Sequence, residues 1–138
     1  RATDIPAVLE AEYGKGRAIY SSCPVEKVDS EPCREAFIGW IMRLMGAEPA
    51  VTTDAPEEAE ALAFQKDGGI YAGLCFVSDS PWPRRAADVR LRVRAPRARA
   101  CTRVRDGANM PLTIADGRAE ILIDRLEEFE LFRFELEV

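Results

Sequence analysis

The sequence predicts a mainly β protein, in which a small antiparallel β-sandwich follows a β-hairpin and one α-helix. Three observations support this class. Apolar and charged residues alternate with a period of two in residues 88–105, and the alternation returns towards the end of the chain. Turns that contain glycine separate about seven short stretches of this kind. Only residues 30–46 combine helix-capping residues with a long apolar segment.

Residues 6–22 predict the hairpin. Two stretches rich in apolar residues flank Gly14-Lys15-Gly16, and glycine supplies the backbone conformations that a tight turn requires. The letters YGKG also suggest a phosphate-binding loop. They lack the GxxxxGK[ST] spacing of such loops and no helix follows directly, so we interpret them as a turn.

The helix is predicted from its end signals. Ser30 is a suitable N-cap, Pro32 is tolerated in the first turn, and Gly46 ends the helix after about Met45. Its apolar residues cover more than the single face of an ordinary surface helix. A short chain offers little to cover two faces, so we predict that these residues form an interface: Phe37, Ile38, Trp40, Ile41, Met42, Leu44 and Met45.

Residues 50–58 are rich in proline, threonine and acids, which is typical of a linker. They would separate a hairpin-plus-helix region at 1–49 from the sandwich at 59–138. The adjacent carboxylates of Glu57 and Glu58 suggest an acid–base pair. On a linker, nothing separates their proton affinities, so we interpret them as solvated charges.

The sandwich strands are predicted from turns and alternation. Asp67-Gly68-Gly69 and Asp116-Gly117 are hairpin signals. Residues 110–115, 118–123 and 129–138 are each predicted to be one strand. The residues expected to face inwards on them are Met110, Leu112, Ile114, Ala119, Ile121, Ile123, Phe132, Phe134 and Leu136.

Residues 88–105 contain seven arginines and one aspartate, which suggests a nucleic-acid surface. The alternation favours an antiparallel pair of strands broken at Ala95-Pro96, with the arginines on one solvated face. The net charge of −5 also argues against a nucleic-acid partner. We expect Arg90, Arg92, Arg94, Arg97, Arg99 and Arg103 to pair with acids on neighbouring strands. Val89, Leu91, Val93, Ala98, Ala100, Thr102 and Val104 would face inwards.

The chain contains no histidine. This excludes Ser-His-Asp and Cys-His catalysis and zinc sites with histidine ligands. We therefore predict no catalytic residue, no metal site and no cofactor in this chain. The four cysteines show neither CxxC spacing nor a dense framework, so free, mostly buried thiols and a cytoplasmic location are expected. No apolar run reaches the ~18 residues that cross a membrane, and because the chain starts at Arg1, we expect a longer parent protein.

The loop at 78–85 contains a candidate ligand site. Trp82 lies between prolines, and Asp79, Arg84 and Arg85 are close to it in sequence. A flat aromatic face with polar groups at its rim is suited to stacking against a sugar. The alternative interpretation is a loop anchor, in which the indole packs against the edge of the sheet.

The run PAVLEAEYGKGRAIY and the later run FIGWIMRLMGAEPAV carry a resemblance. Together they are similar to the end of the glutamine-amidotransferase-like domain of bacterial beta-galactosidases, a trimerising domain that leads into a small C-terminal β domain. The resemblance implies that residues 1–49 are the remnant of an α/β domain. It also implies that the catalytic glutamates lie in an upstream barrel, so none is carried onto this chain.

The resemblance implies a non-catalytic accessory and assembly region of a carbohydrate-active enzyme. Its partners would be the upstream catalytic domain or a second copy of the chain, with no membrane. Two alternatives remain open at this stage. One is a stand-alone carbohydrate-binding module that uses Trp82, and the other is a structural or interaction domain.

Overall fold

The computed structural model describes residues 7–46, 48–77 and 84–137, and the chain divides into two compact units, Arg1–Pro49 and Ala50–Val138. The first unit contains β1 (Val8–Tyr13), β2 (Gly16–Ser21), a 3₁₀ turn (Val25–Lys27) and α1 (Glu31–Met45). The second contains β3 (Val51–Thr53), β4 (Ala59–Lys66), β5 (Gly69–Phe76), β6 (Ala86–Val93), β7 (Ala98–Arg103), β8 (Asn109–Met110), β9 (Thr113–Ala115), β10 (Arg118–Leu126) and β11 (Phe129–Leu136). The predicted mainly β class is confirmed.

The hairpin and the helix of the first unit form where the sequence predicts them. β1 and β2 pair in antiparallel register around a turn at Gly14, whose φ of 60° favours glycine. The hydroxyl of Ser30 accepts a hydrogen bond from the amide of Cys33 and caps α1. Gly46 ends the helix in the left-handed conformation, and its amide donates to the carbonyl of Met42.

The first unit buries very little apolar surface. Val25 is its only buried residue among those described. On α1, Phe37 and Trp40 are half-buried, whereas Ile38 is 58% exposed and Met45 is 53% exposed. An ion pair of 2.7 Å between Arg43 and Glu10 joins the helix to the hairpin, but surface pairs of this kind contribute little stability.

The second unit is a sandwich of two antiparallel sheets. The four-stranded sheet has the order β3-β6-β10-β9, and the five-stranded sheet has the order β4-β5-β11-β7-β8. In both clear hairpin turns the two central residues have positive φ, at 49° and 71° for Asp67-Gly68 and at 51° and 73° for Asp116-Gly117. This is the turn geometry that matches the right-handed twist of paired strands.

The core lies between the sheets. Leu91 and Ile121 from the four-stranded sheet pack in one cluster with Leu74, Phe132 and Phe134 from the five-stranded sheet. Alternation therefore predicted the inward faces of β6, β10 and β11 correctly. The buried residues on these strands include Val89, Leu91, Val93, Ala119, Ile121, Ile123, Phe132 and Phe134.

The two arginine-rich strands are not a pair, contrary to the sequence prediction. β6 pairs with β3 and β10, while β7 pairs with β8 and β11 in the other sheet. The chain passes from one sheet to the other through Ala95-Pro96. Alternation determines which face of a strand is buried, but it does not determine which strand lies beside it.

The predicted inward face of β7 is also wrong in part. Ala98 is buried as expected, but Cys101 is buried at 2% exposure and Val104 is 48% exposed. The register shifts here, because Glu135 is opposite Ala100 whereas the next residue of β11 is opposite Ala98. A bulge that adds one residue reverses the alternation beyond it, and the bulge explains the change of face.

Two further elements differ from the sequence predictions. Residues 110–115 do not form one strand: Pro111 interrupts them, β8 joins the five-stranded sheet and β9 joins the four-stranded sheet. Proline has no amide to donate to a ladder. As a consequence Ile114, expected inwards, is 43% exposed.

The predicted linker at 50–58 contains an edge strand. β3 pairs with β6 from Val51↔Val93 to Thr53↔Leu91. The Asp54 side chain then continues the ladder, because its Oδ1 accepts a 2.6 Å hydrogen bond from the amide of Arg90. This bond is the largest cause of a pKa of Asp54 below its ordinary value of 3.8, helped by the Arg90 guanidinium at 3.2 Å. Threonines and an acid therefore mark a short strand and its end, not a free linker.

We expect Asp54→Ala to loosen β3 and to lower the free energy of unfolding by about 0.5–1.5 kcal/mol at neutral pH, near the lower figure because the side chain is partly exposed. A lowered folded-state pKa gives stability that is present above pH 3.8 and is lost as the pH falls through the folded value. The difference between wild type and Asp54→Ala in urea unfolding should therefore shrink below pH 3.8. Asp54→Asn keeps an acceptor oxygen and should lose less. Equal stability of all three proteins at neutral pH would contradict this role.

Candidate functional site

The predicted pairing of arginines with acids of neighbouring strands is confirmed for three of them. Arg90 lies 3.2 Å from Asp54, Arg92 lies 2.5 Å from Glu120 on β10, and Arg99 lies 3.4 Å from Glu135 on β11. Arg103 instead has its Nε 3.7 Å from Asp106, in the turn that follows its own strand. These ion pairs neutralise several of the arginine charges on this surface. The absence of nucleic-acid binding stays a prediction.

Two of the four predicted sugar-site residues can be located. Trp82 and Asp79 lie outside the described residues. Arg84 and Arg85 line a shallow depression of about 310 Å³, which we call the Arg84 groove; its other lining residues are Arg105, Glu127, Glu128 and Phe129. Arg84 also lies 3.6 Å from the Glu58 carboxylate, so at least one of the two linker acids neutralises a groove residue.

A second depression, which we call the Glu130 cleft, shares the lining residues Arg105 and Glu127 with this groove. It has a volume of about 230 Å³ and opens between the two sheets, since β10 lines one side and β7, β8 and β11 line the other. Of the described residues, three arginines, three acids and three apolar residues line it. They are Arg103, Arg105 and Arg125; Asp124, Glu127 and Glu130; and Met110, Ile123 and Phe132.

Glu130 is the buried charge of this cleft. Its side chain is 2% exposed, and neither carboxylate oxygen has a hydrogen-bond partner among the described residues. Arg105 Nη1 lies 3.0 Å from Oε1 but is not aligned for a hydrogen bond, and the Arg105 side chain is 57% exposed. Charge attraction therefore offsets part of the desolvation cost, while the acceptor capacity of the carboxylate remains unused.

The neighbouring cleft side chains have other partners or an unused donor. Arg125 pairs with Glu127 at 2.9 Å on the exposed rim. Arg103 is less exposed, and its buried Nε has no hydrogen-bond partner among the described residues. The cleft thus contains both an unused acceptor and an unused donor, at the position where the two sheets separate.

Glu130 is not among the site residues predicted from the sequence. The sequence nevertheless indicates that this residue faces inwards. Glu130 is separated by steps of two along β11 from the inward residues Phe132, Phe134 and Leu136. Alternation along β11 therefore places an acid on the buried face of a strand. Such an acid is a candidate functional residue, since buried charges are rare unless they are paired.

Other reactive groups do not form a site in the described ranges 7–46, 48–77 and 84–137. All four cysteines are free thiols, as predicted, but only Cys101 is buried. Burial raises the pKa of Cys101 to about 12, so its thiol stays protonated at neutral pH. In these ranges no three histidine, cysteine or acidic residues are grouped as metal ligands, and no helix has the length and hydrophobicity needed to cross a membrane.

No protein-family pattern matches the chain, and no curated protein sequence matches it. Among solved structures, alpha-L-fucosidase isoenzyme 2 from Paenibacillus thiaminolyticus is similar to 96% of this chain, with a TM-score of 0.70 and 14% sequence identity. The chain corresponds to 22% of the length of that structure. At this identity the likeness concerns the fold alone, and the fold of the present chain is one that also occurs as part of a glycoside hydrolase.

Proposed function

We propose that the chain is a non-catalytic accessory and assembly region of a glycoside hydrolase. Two independent likenesses support this role. The fold resembles about a fifth of an alpha-L-fucosidase chain, and the sequence resembles the end of the amidotransferase-like domain and the C-terminal β domain of beta-galactosidases. The sequence resemblance favours a beta-galactosidase-like parent, while the structural likeness supports only a parent that hydrolyses glycosides.

The observation that carries the assembly role is the uncovered apolar surface of the first unit. On α1 the residues Ile38, Ile41 and Met45 are 58%, 40% and 53% exposed. They recur at intervals of three and four and so share one face of the helix. Full burial of an exposed side chain of this size contributes roughly 1.5–3 kcal/mol. Because each of the three is already about half buried, covering it would contribute roughly half of that, which favours a partner surface on the parent chain or on a second copy.

The catalytic step is assigned to another part of the parent. The chain has no histidine, and the buried Glu130 lies beside the Arg105 guanidinium. Glycosidases use a pair of carboxylates that flank the scissile bond, and the resemblance to beta-galactosidases implies that this pair lies in an upstream barrel. We also retain a cytoplasmic location as part of the proposal, since free thiols are typical of reducing compartments.

A stand-alone carbohydrate-binding module is the second candidate function. It is favoured by one observation: Arg84 and Arg85, next to the loop that contains Trp82, line the Arg84 groove. Quenching or enhancement of tryptophan fluorescence by sugars, lost in Trp82→Ala, would favour this candidate over the assembly role.

The assembly role predicts that the chain associates through α1. We expect Ile38→Glu combined with Ile41→Glu to convert an associated species into the 15.3 kDa monomer in sedimentation velocity, because charges on both residues would make burial of that face unfavourable. The melting temperature of the sandwich should not change, since neither residue belongs to its core cluster.

Ile114→Glu is the matched control, because Ile114 is 43% exposed and lies on β9 of the sandwich. It should leave association intact. If the wild-type chain is monomeric, and its solubility is the same with and without the two helix substitutions, the assembly role is wrong. Hydrolysis of an aryl glycoside by the purified chain, abolished by a single Asp or Glu substitution, would overturn the non-catalytic assignment.

A further inference from the structure

Glu130 is placed where a carboxylate is costly. It is on the inward face of β11, in line with Phe132 and Phe134, and only 2% of it is exposed. An apolar residue there would extend the core, and a buried carboxylate without hydrogen bonds is unfavourable even when a cation is near. Buried polar groups of this kind are commonly satisfied by an ordered water, an ion or a ligand, and the surroundings of Glu130 indicate which of these fits.

The charges of the Glu130 cleft indicate what kind of partner this is. Among the described residues that line it, three arginines balance three acids, so these side chains together attract neither an anion nor a cation strongly. A phosphate would meet Glu130 and Asp124, and an ammonium group would meet Arg103 and Arg105. A neutral ligand avoids both repulsions.

The hydrogen-bonding groups narrow the choice further. The Glu130 carboxylate accepts hydrogen bonds only, and the buried Nε of Arg103 donates only. A hydroxyl group both donates and accepts hydrogen bonds. A molecule with several hydroxyls can therefore donate to the Glu130 carboxylate and accept from the Nε of Arg103 at the same time. Met110 and Phe132 add an apolar wall to the same cleft, which suits the C–H face of a saturated ring.

We propose that the Glu130 cleft binds a neutral, hydroxyl-bearing ring of the size of one monosaccharide, with hydroxyl groups donating to Glu130 and accepting from Arg103. The volume of about 230 Å³ lies below the roughly 300–1,000 Å³ of sites for drug-sized ligands, in agreement with a single ring. Neither Arg84 nor Arg85, the two described residues of the predicted sugar site, lines this cleft. The proposed binding also does not depend on the accessory role, because it concerns only side chains of this chain.

The test is titration of the complete chain with methyl glycosides of several hexoses and 6-deoxyhexoses, followed by ¹H–¹⁵N NMR. We expect the shifted amides to cluster at Arg103, Arg125 and Glu130. Inorganic phosphate and sorbitol serve as the anionic and acyclic comparisons. If phosphate binds more tightly than every glycoside, the claim that the ligand is neutral is wrong. If sorbitol binds as tightly as the glycosides, the claim that the ligand must be a ring is wrong.

Two substitutions separate binding from a structural role. Glu130→Leu should weaken binding at least ~10-fold, the effect of losing hydrogen bonds to a charged group, without lowering the melting temperature, because the Arg105 side chain is exposed enough to be solvated. Glu130→Gln keeps the shape and one acceptor, and it should fall between Glu130→Leu and wild type. Glu60→Gln, on an exposed position of β4, should change neither property.

If no glycoside shifts the cleft amides of the wild-type chain, and Glu130→Leu lowers the melting temperature, then the carboxylate serves only its ion pair with Arg105 and the proposal is wrong. Glycoside binding that Glu130→Leu leaves unchanged also overturns the proposal, because the sugar then binds elsewhere. An unaltered association behaviour of α1 bears on neither outcome, so this test is independent of the assembly role.

Discussion

Phe134→Ala is expected to destabilise the sandwich by about 3–5 kcal/mol. Phe134 is fully buried on β11, in the middle of the five-stranded sheet, with Ile70 and Cys101 as its cross-strand neighbours. Truncation removes the transfer free energy of the ring and leaves a cavity between two sheets that cannot easily close. The loss is a large part of the 5–15 kcal/mol that stabilises a typical domain.

Urea unfolding followed by far-ultraviolet circular dichroism measures this effect. Phe129→Ala is the matched control, because Phe129 begins the same strand but is 49% exposed. Its cost should stay below about 1 kcal/mol, as for most exposed positions. If both substitutions shift the urea midpoint equally, Phe134 is not in a packed core and the arrangement of β11 is incorrect.

Gly73→Ala is expected to cost about 1–3 kcal/mol or more, the range for overpacking a core. A Cβ at Gly73 would lie 2.6 Å from the Glu130 carbonyl oxygen and 3.1 Å from Leu131 Cδ1. The first contact is with backbone, so β5 and β11 would have to separate. Because the displaced carbonyl belongs to Glu130, the substitution should also weaken any ligand binding in the Glu130 cleft.

Gly39→Ala provides the opposite sign. Gly39 lies inside α1, and apart from its chain neighbours and the helix backbone no atom of the described residues is within 4 Å of the position of its Cβ. Alanine in a helix interior is favoured over glycine by about 0.5–1 kcal/mol, so thermal unfolding of the first unit should shift upwards. If Gly73→Ala stabilises the protein, the close contacts described at Gly73 are incorrect. If Gly39→Ala destabilises it by about 0.5–1 kcal/mol, the open space described at Gly39 is incorrect.

The parts of the fold that local rules determine were predictable from sequence. Ser30 and Gly46 define the ends of α1 because capping needs only neighbouring residues. Asp116-Gly117 specifies its hairpin because both central residues must adopt positive φ. The inward residues of β6, β10 and β11 follow from period two, which an uninterrupted strand must obey.

The parts that depend on distant residues were not predictable. Nothing near Pro96 indicates that β6 and β7 belong to different sheets, because strand order depends on how the whole core closes. The bulge beside Glu135 depends on how β7 pairs with β11. The sequence of one strand does not specify which strand it pairs with. The Glu130 cleft is a consequence of both, since its walls come from strands of two sheets.

The short edge strand β3 also has a mechanical meaning. It is the first element after the boundary between Pro49 and Ala50, so any tension along the backbone between the two units enters the sandwich through it. Three paired residues and the Asp54 side chain hold it to β6, and none of its residues is fully buried. Local opening of such a segment needs far less free energy than global unfolding. We therefore expect β3 to detach from β6 first when the backbone is pulled. The detached residues would lengthen the connection between the two units, while the Glu130 cleft and the core of the sandwich stay folded.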